Sequence, residues 1–116
     1  MSLEGYAGFL KVHQEQKKLI EITATHNTIK IRGHAGYAEQ GHDIVCAGVT
    51  ALTQALINSV QELTEDEIEY IFESGIADIE LRNVSERSET LIHSFFIGVD
   101  LIADEFPKYV KVYNRL

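Results

Sequence analysis

Two residues of the types used in nucleophilic catalysis, His34 and Cys46, lie twelve positions apart. A thiolate attacks carbonyl carbons, and a neighbouring imidazole can take up and return the proton. Cys46 follows Asp43 by three residues, and Asp is among the best helix N-caps. The start of a helix offers free N–H groups and a positive dipole end, which favour the thiolate and could stabilise an oxyanion. The spacing therefore suggests a Cys–His dyad for acyl transfer.

The same residues also fit simpler interpretations. Free cysteine is among the most buried residue types, so Cys46 could be an ordinary core residue. His34, His42, Asp43 and Cys46 include enough ligand types for a metal site, but Asp43 is better used as a cap and only one soft ligand is available. We expect no metal and no cofactor. The residues alone leave the catalytic and the structural interpretation of Cys46 open.

The size and cysteine content favour a single cytoplasmic domain. A chain of 116 residues with 45% hydrophobic residues can bury one core. We find no apolar run near the ~18–20 residues of a membrane span, and residues 1–17 lack the pattern of a signal peptide. The single cysteine excludes an intrachain disulfide and suits a reducing compartment.

The charge balance opposes a direct role in nucleic-acid binding. Acidic residues outnumber basic ones by 18 to 10, which gives a formal net charge of −8. Proteins that bind nucleic acid gain most of their affinity from Lys and Arg on phosphates. An acidic surface instead favours a basic protein or peptide as the partner.

Two elements should position the pair of candidate residues. Apolar and polar residues alternate over 20–24 and 29–31, which predicts a hairpin of two half-buried strands. The glycine-bearing segment Gly33–Gly41 follows as a loop. Asp43 then opens a helix that runs to about Leu63. Its apolar stripe comprises Val45, Val49, Leu52, Leu56, Val60 and Leu63.

The second half of the chain repeats this order. Segments 68–73 and 76–82 predict a second hairpin, with its turn at Ser74–Gly75. A second helix begins near 83–86 and ends at Pro107, because proline excludes the residue before it from helical geometry. Residues 109–113 alternate weakly and could add a short strand. The fold class is α/β (α+β): a two-layer sandwich of ββαββα order, with two helices on one face of a largely antiparallel sheet.

The run from Gly33 to Leu52, GHAGYAEQGHDIVCAGVTAL, resembles the signature of the ribosomal-processing cysteine protease family, Prp. That signature is G-H-A-G, a short loop, then G-x-D-I-V-C and a helix. The resemblance extends from about Lys18 to the C-terminus. It implies a homodimeric bacterial cysteine endopeptidase that removes a short N-terminal extension from large-subunit ribosomal protein twenty-seven.

The resemblance also implies roles for individual residues. The family's catalytic histidine and cysteine correspond to His34 and Cys46, and its aspartate corresponds to Asp43, which could also orient His34. Gly33 belongs to the same motif. Thr50 takes the place of a hydroxyl residue one turn after the cysteine that is commonly serine; threonine keeps the hydroxyl and adds a methyl group.

The chain departs from the family at its start. Residues 1–17 form an N-terminal extension whose Met-Ser-Leu beginning resembles a cloning scar, and residues 18–116 form the peptidase domain. Helical spacing within the extension predicts a short amphipathic helix. A rival hypothesis for the whole chain is a non-catalytic ribosome-assembly adaptor that binds a basic ribosomal protein. It requires Cys46 to be inert.

Overall fold

The computed structural model describes residues 18–39 and 41–113. The predicted ββαββα order is confirmed, as is the short final strand. The helix predicted within residues 1–17 lies outside the described residues. The elements are β1 (Ile20–Ala24), β2 (Thr28–Arg32), α1 (Ile44–Leu63), β3 (Glu67–Glu73), β4 (Ile76–Arg82), α2 (Glu86–Glu105) and β5 (Val110–Tyr113).

The five strands form one sheet in the order β3-β4-β2-β1-β5. The pairs β1–β2, β2–β4 and β3–β4 are antiparallel, whereas β5 pairs with β1 in parallel. The β2–β4 pairing joins the two predicted hairpins edge to edge. It brings the turn of the second hairpin beside the end of β2, where Gly33 donates its N–H to the carbonyl of Gly75 at 2.9 Å.

The core lies between one face of the sheet and the two helices. Alternate strand residues such as Ile22 and Ile79 are fully buried there, and each such side chain contributes about 1.5–3 kcal/mol through burial.

By length and composition alone α1 could cross a membrane. This corrects our expectation that no apolar segment approaches the length of a membrane span. The apolar side of α1, including Val45, Val49 and Val60, is nevertheless packed in the core.

Gly33 allows the chain to leave β2 close to the start of β1. Its φ is +98°, and a Cβ there would overlap the carbonyl oxygen of Leu19. We therefore expect Gly33→Ala to lower the free energy of unfolding by about 3 kcal/mol or more, through backbone strain and a clash with backbone. Urea denaturation measures this. Gly41→Ala is the matched control, because Gly41 has a φ of +93° with nothing within 4 Å of the added Cβ. A similar loss in both variants would contradict the assigned clash.

Candidate active site

A cavity of about 630 Å³ opens between the β2–α1 loop, the start of α1 and the β3–β4 turn. Both predicted catalytic residues, His34 and Cys46, line it. The second hairpin supplies much of the opposite wall. Its lining residues there are Phe72, Glu73, Ser74, Gly75, Ile76 and Ala77.

Cys46 lies in the first turn of α1, half-buried beside the β2–α1 loop. The backbone N–H of Ala35 points at its sulfur and donates to Sγ at 3.2 Å. Ala35 itself is fully buried, so this part of the loop is packed against the thiol. The sulfur therefore has a fixed direction and a fixed polar neighbour.

Asp43 is the N-cap of α1, as predicted. Its Oδ1 accepts the N–H groups of Val45 and Cys46 at 3.0 and 2.9 Å. Its Oδ2 accepts the N–H of Tyr37 at 3.0 Å. One carboxylate therefore holds the helix start and the loop together. None of the hydrogen bonds between described residues joins Asp43 to His34.

Three amides at the start of α1 already have acceptors. Besides the two N–H groups that Asp43 Oδ1 accepts, the N–H of Ala47 donates to the carbonyl of Asp43 at 3.0 Å. Our expectation that first-turn amides are free to stabilise an oxyanion is therefore wrong for Val45, Cys46 and Ala47. The cap that starts the helix uses them.

His34 is exposed at the mouth of the cavity, and its imidazole lies over the β3–β4 turn. A Cβ added to Gly75 would come within 2.7 Å of His34 Nε2, so the ring occupies space that only glycine leaves open. Within residues 18–39 and 41–113, no hydrogen bond connects His34 to Cys46. The two side chains share the cavity, but their proton-transfer contact is not formed here, as is common before a peptide binds.

The surroundings of Cys46 raise the pKa of its thiol. Burial is the largest cause, and the charge of Asp43 adds to it, while the backbone N–H groups of Ala35 and Gly36 oppose it. This reverses the expectation that the position at a helix start would by itself favour the thiolate. A thiol with a raised pKa depends more strongly on a base to take its proton before the sulfur attacks a carbonyl carbon.

The same contacts lower the pKa of Asp43. Burial would raise it, but backbone N–H groups of Cys46, Tyr37 and Ala38 outweigh burial and hold the pKa below 3.8. A carboxyl with a depressed folded-state pKa stabilises the fold above its unfolded pKa, and this contribution is lost as the pH falls through the folded value. Asp43 therefore contributes to acid unfolding below about pH 4.

Replacing Asp43 with asparagine should separate its charge from its hydrogen bonds. Asparagine keeps one capping oxygen, but its NH₂ group would face the N–H of Tyr37. We expect a stability loss of about 1 kcal/mol and a lower thiol pKa at Cys46, because a nearby negative charge is removed. The pH dependence of iodoacetamide alkylation measures that pKa.

Asp66→Asn is the control for this substitution. Asp66 Oδ2 accepts the N–H and the hydroxyl of Ser85 at 2.8 and 2.7 Å, away from the thiol. This variant should also lose stability but keep the alkylation profile of the wild type. An unchanged or raised thiol pKa in Asp43→Asn would contradict the assigned electrostatic effect.

Tyr37 fixes the middle of the loop. Its ring packs edge-on against Phe106 and Tyr109, with centroid separations of 5.3 Å in both cases. The N–H of Tyr37 also donates to Asp43 at the start of α1. The loop is therefore held both at the start of α1 and at the end of α2. A movement of the β2–α1 loop that admits a peptide must therefore leave Tyr37 in place or break these contacts.

Other predicted residues lie nearby. Thr50 lines the cavity one turn after Cys46 and is exposed. Sequence reasoning missed Thr53, whose buried hydroxyl donates to the carbonyl of Val49 at 2.7 Å, and it treated Gly75 only as a turn residue. The spacing of Thr53, seven residues after Cys46 on one helix face, could have placed it in the cavity.

His42 is exposed in the turn before Asp43. Within the described part of the chain, no group of three or more His, Cys, Asp and Glu residues is arranged to hold a metal ion.

Residues 14–111 match the family model described as cysteine protease Prp. The chain is 24% identical over 83 residues to the ribosomal processing cysteine protease Prp of Staphylococcus aureus, covering 69% of this chain and 78% of the relative. It is 28% identical over 99 residues to the protein of that name from Bacillus subtilis, covering 77% and 86%.

The fold agrees with a solved structure. The essential ribosomal processing protease Prp from S. aureus, in complex with a covalently linked product peptide, superposes with a TM-score of 0.76 at 21% identity, over 84% of this chain and 98% of that chain. The family match spans most of the described residues and includes the cavity that contains His34 and Cys46. The chain thus belongs to the Prp family of ribosomal-processing cysteine proteases.

Proposed function

We propose that this chain is an endopeptidase in which Cys46 and His34 act as a catalytic dyad, and that it removes the N-terminal extension of large-subunit ribosomal protein twenty-seven. The observation that carries the proposal is the shared cavity: the only cysteine and an exposed imidazole line one cleft in a chain of a cysteine protease family. A cavity of this size accommodates several side chains of an extended peptide.

The reaction begins from the thiol. Because burial raises the pKa of Cys46, His34 takes the sulfur proton as Sγ adds to the scissile carbonyl carbon. The C–N bond then breaks, and the imidazolium gives its proton to the leaving amine. Water attacks the acyl-enzyme carbonyl carbon and loses a proton to His34. The C–S bond then breaks and the imidazolium returns that proton to Sγ. The new acid leaves as its carboxylate and gives its remaining proton to solvent.

Loop amides are the available donors for the oxyanion. The N–H groups of Ala35 and Gly36 face Sγ, whereas the first-turn amides serve the cap. When the sulfur becomes bonded to carbon, a carbonyl oxygen beside it comes within reach of the same N–H groups. Preorganised backbone donors of this kind contribute roughly 10²–10³ in rate.

The acidic chain and the apolar cavity support the proposed substrate. Ribosomal proteins are basic, and a net charge of −8 attracts a basic precursor at low salt. Phe72 and Ile76 give the cleft wall apolar surface for side chains near the cut. We also propose a cytoplasmic location and a homodimer, the first supported by the free thiol and the second by the family resemblance.

Mass spectrometry of a synthetic precursor peptide tests the function. The peptide comprises the extension and the first residues of the mature ribosomal protein, and it is incubated with the full chain under reducing conditions. We expect one cut, absent from a scrambled peptide and from protein treated with iodoacetamide. An intact precursor after prolonged incubation with folded, reduced protein would overturn the assignment. Binding without cleavage would instead favour the adaptor.

A further inference from the structure

We propose that the free edge of β3 is a docking strand, on which an extended peptide with alternating apolar and basic side chains adds as a sixth strand. The inference rests on the proposed peptidase function, since it gives the peptide a path that leads into the cavity of Cys46. It assigns an interaction surface outside the catalytic residues.

The position of β3 in the sheet is the first argument. β3 is the outermost strand and pairs only with β4 among the described strands, so its outer N–H and C=O groups face solvent. Six of its seven residues are exposed. Edge strands are usually protected by shortness, proline, a bulge or charged side chains. Glu67–Glu73 is seven residues long, has no proline and pairs with β4 without a bulge. Its charged residues are three glutamates, which disfavour an acidic added strand but not a basic one.

Continuity with the cavity is the second argument. The last residues of β3, Phe72 and Glu73, line the same cavity as Cys46, and the turn at Gly75 lies under the His34 ring. A strand added along β3 therefore has one end at the catalytic cleft. At about 3.3 Å per residue, the five residues 67–71 extend recognition by roughly 17 Å beyond the cavity.

The two faces of β3 differ in chemistry, which is the third argument. Tyr70 and Phe72 pair with Ile79 and Ala77 of β4. Because Ile79 and Ala77 are buried in the core, Tyr70 and Phe72 project toward the same, helix-covered side of the sheet. Tyr70 is 47% exposed and Phe72 36%. They form an apolar rim next to the cleft. Apolar side chains of an added strand would extend this rim.

The opposite face is acidic. Glu67, Glu69 and Glu73 project there with Ile71, because side chains alternate along a strand. Arg82 pairs with Glu69 at 3.3 Å, but no ion pair between described residues involves Glu67 or Glu73. Opposite charges on neighbouring strands attract, so basic residues at every second position of the peptide complement this face. β-addition provides backbone affinity and the alternating side chains provide selectivity.

The test measures binding separately from cleavage. The full chain carrying Cys46→Ala is titrated with the fluorescein-labelled precursor peptide, alone and with Glu67→Lys/Glu69→Lys or Tyr70→Thr. We expect about tenfold weaker binding for the charge reversal at low salt, shrinking as salt is added, and about fivefold for Tyr70→Thr. Asp104→Lys, an exposed position in the last turn of α2, reverses one charge elsewhere and should bind like the parent.

Peptides N-methylated at single positions examine the backbone contact. Because only alternate N–H groups of a strand face its neighbour, methylation should weaken binding at every second position. Binding by the charge-reversal and Tyr70 variants equal to that of the parent would overturn the docking strand, whether or not the wild type cleaves. The docking strand would also be overturned if sedimentation showed that these variants dissociate a dimer while their affinity for the peptide stays unchanged. β3-dependent binding of an uncleaved peptide would leave docking intact and remove the peptidase function instead.

Discussion

Cys46→Ala is expected to reduce peptide cleavage by on the order of 10⁴-fold or more, because the chain then has no thiol with which to form an acyl-enzyme. The hydroxyl of Thr50 also lines the cavity, but an unactivated hydroxyl is a far poorer nucleophile. Thr50→Val should therefore keep activity within a few-fold of the wild type. Single-turnover cleavage, followed by mass spectrometry, measures both variants.

The fold should survive the loss of the thiol. Alanine removes one hydrogen bond, from Ala35 N–H to Sγ, and this costs roughly 1 kcal/mol. A small decrease in melting temperature with lost cleavage separates a catalytic role from a structural one. If Cys46→Ala cut the precursor at a rate near that of the wild type, the dyad would be wrong and another nucleophile would have to be sought.

The second large effect is expected at His34. His34→Ala should lower kcat/KM by about 10²–10⁴, because the thiol of Cys46 has a raised pKa and loses the imidazole that lines the same cavity. The ring is exposed, so stability should change little. The measurement is kcat/KM for the precursor peptide between pH 6 and 9.

His42→Ala provides the matched comparison. His42 is exposed and lies only one residue before the cap Asp43, but it does not line the cavity. Its removal should leave cleavage within about twofold, since exposed residues away from a site rarely matter. In His34→Ala, residual activity should rise with pH as the thiol ionises without help. An equal loss in both variants would indicate a general effect of the loop and not a specific base.

Local signals in the sequence predicted the elements that carry the site. Aspartate is one of the residue types preferred at helix N-caps. Asp43 therefore allowed the start of α1, and the place of Cys46 in its first turn, to be predicted without tertiary information. Alternating residues defined both hairpins for the same reason. The shared cavity of His34 and Cys46 is consistent with that spacing, although their roles as a dyad stay predictions.

Contacts between segments far apart in the sequence could not be predicted from local patterns. The parallel pairing of β5 with β1 joins segments about ninety residues apart, and no short pattern specifies that partner. The β2–β4 pairing likewise places Gly75 under His34. The raised pKa of the Cys46 thiol was also not predicted, because burial of the sulfur and the closeness of the Asp43 charge depend on how the loop packs against α1.

The contact between Ala35 N–H and the sulfur has a consequence for covalent inhibitors. Any electrophile that bonds to Sγ must fit beside a fully buried Ala35 in a loop tied down through Tyr37. A small warhead with an oxygen next to its reactive carbon can accept that N–H and leave the loop in place. A bulky warhead must first displace the loop, and its potency is reduced by the free energy of that displacement. Compact carbonyl electrophiles are therefore the class that this cleft should favour.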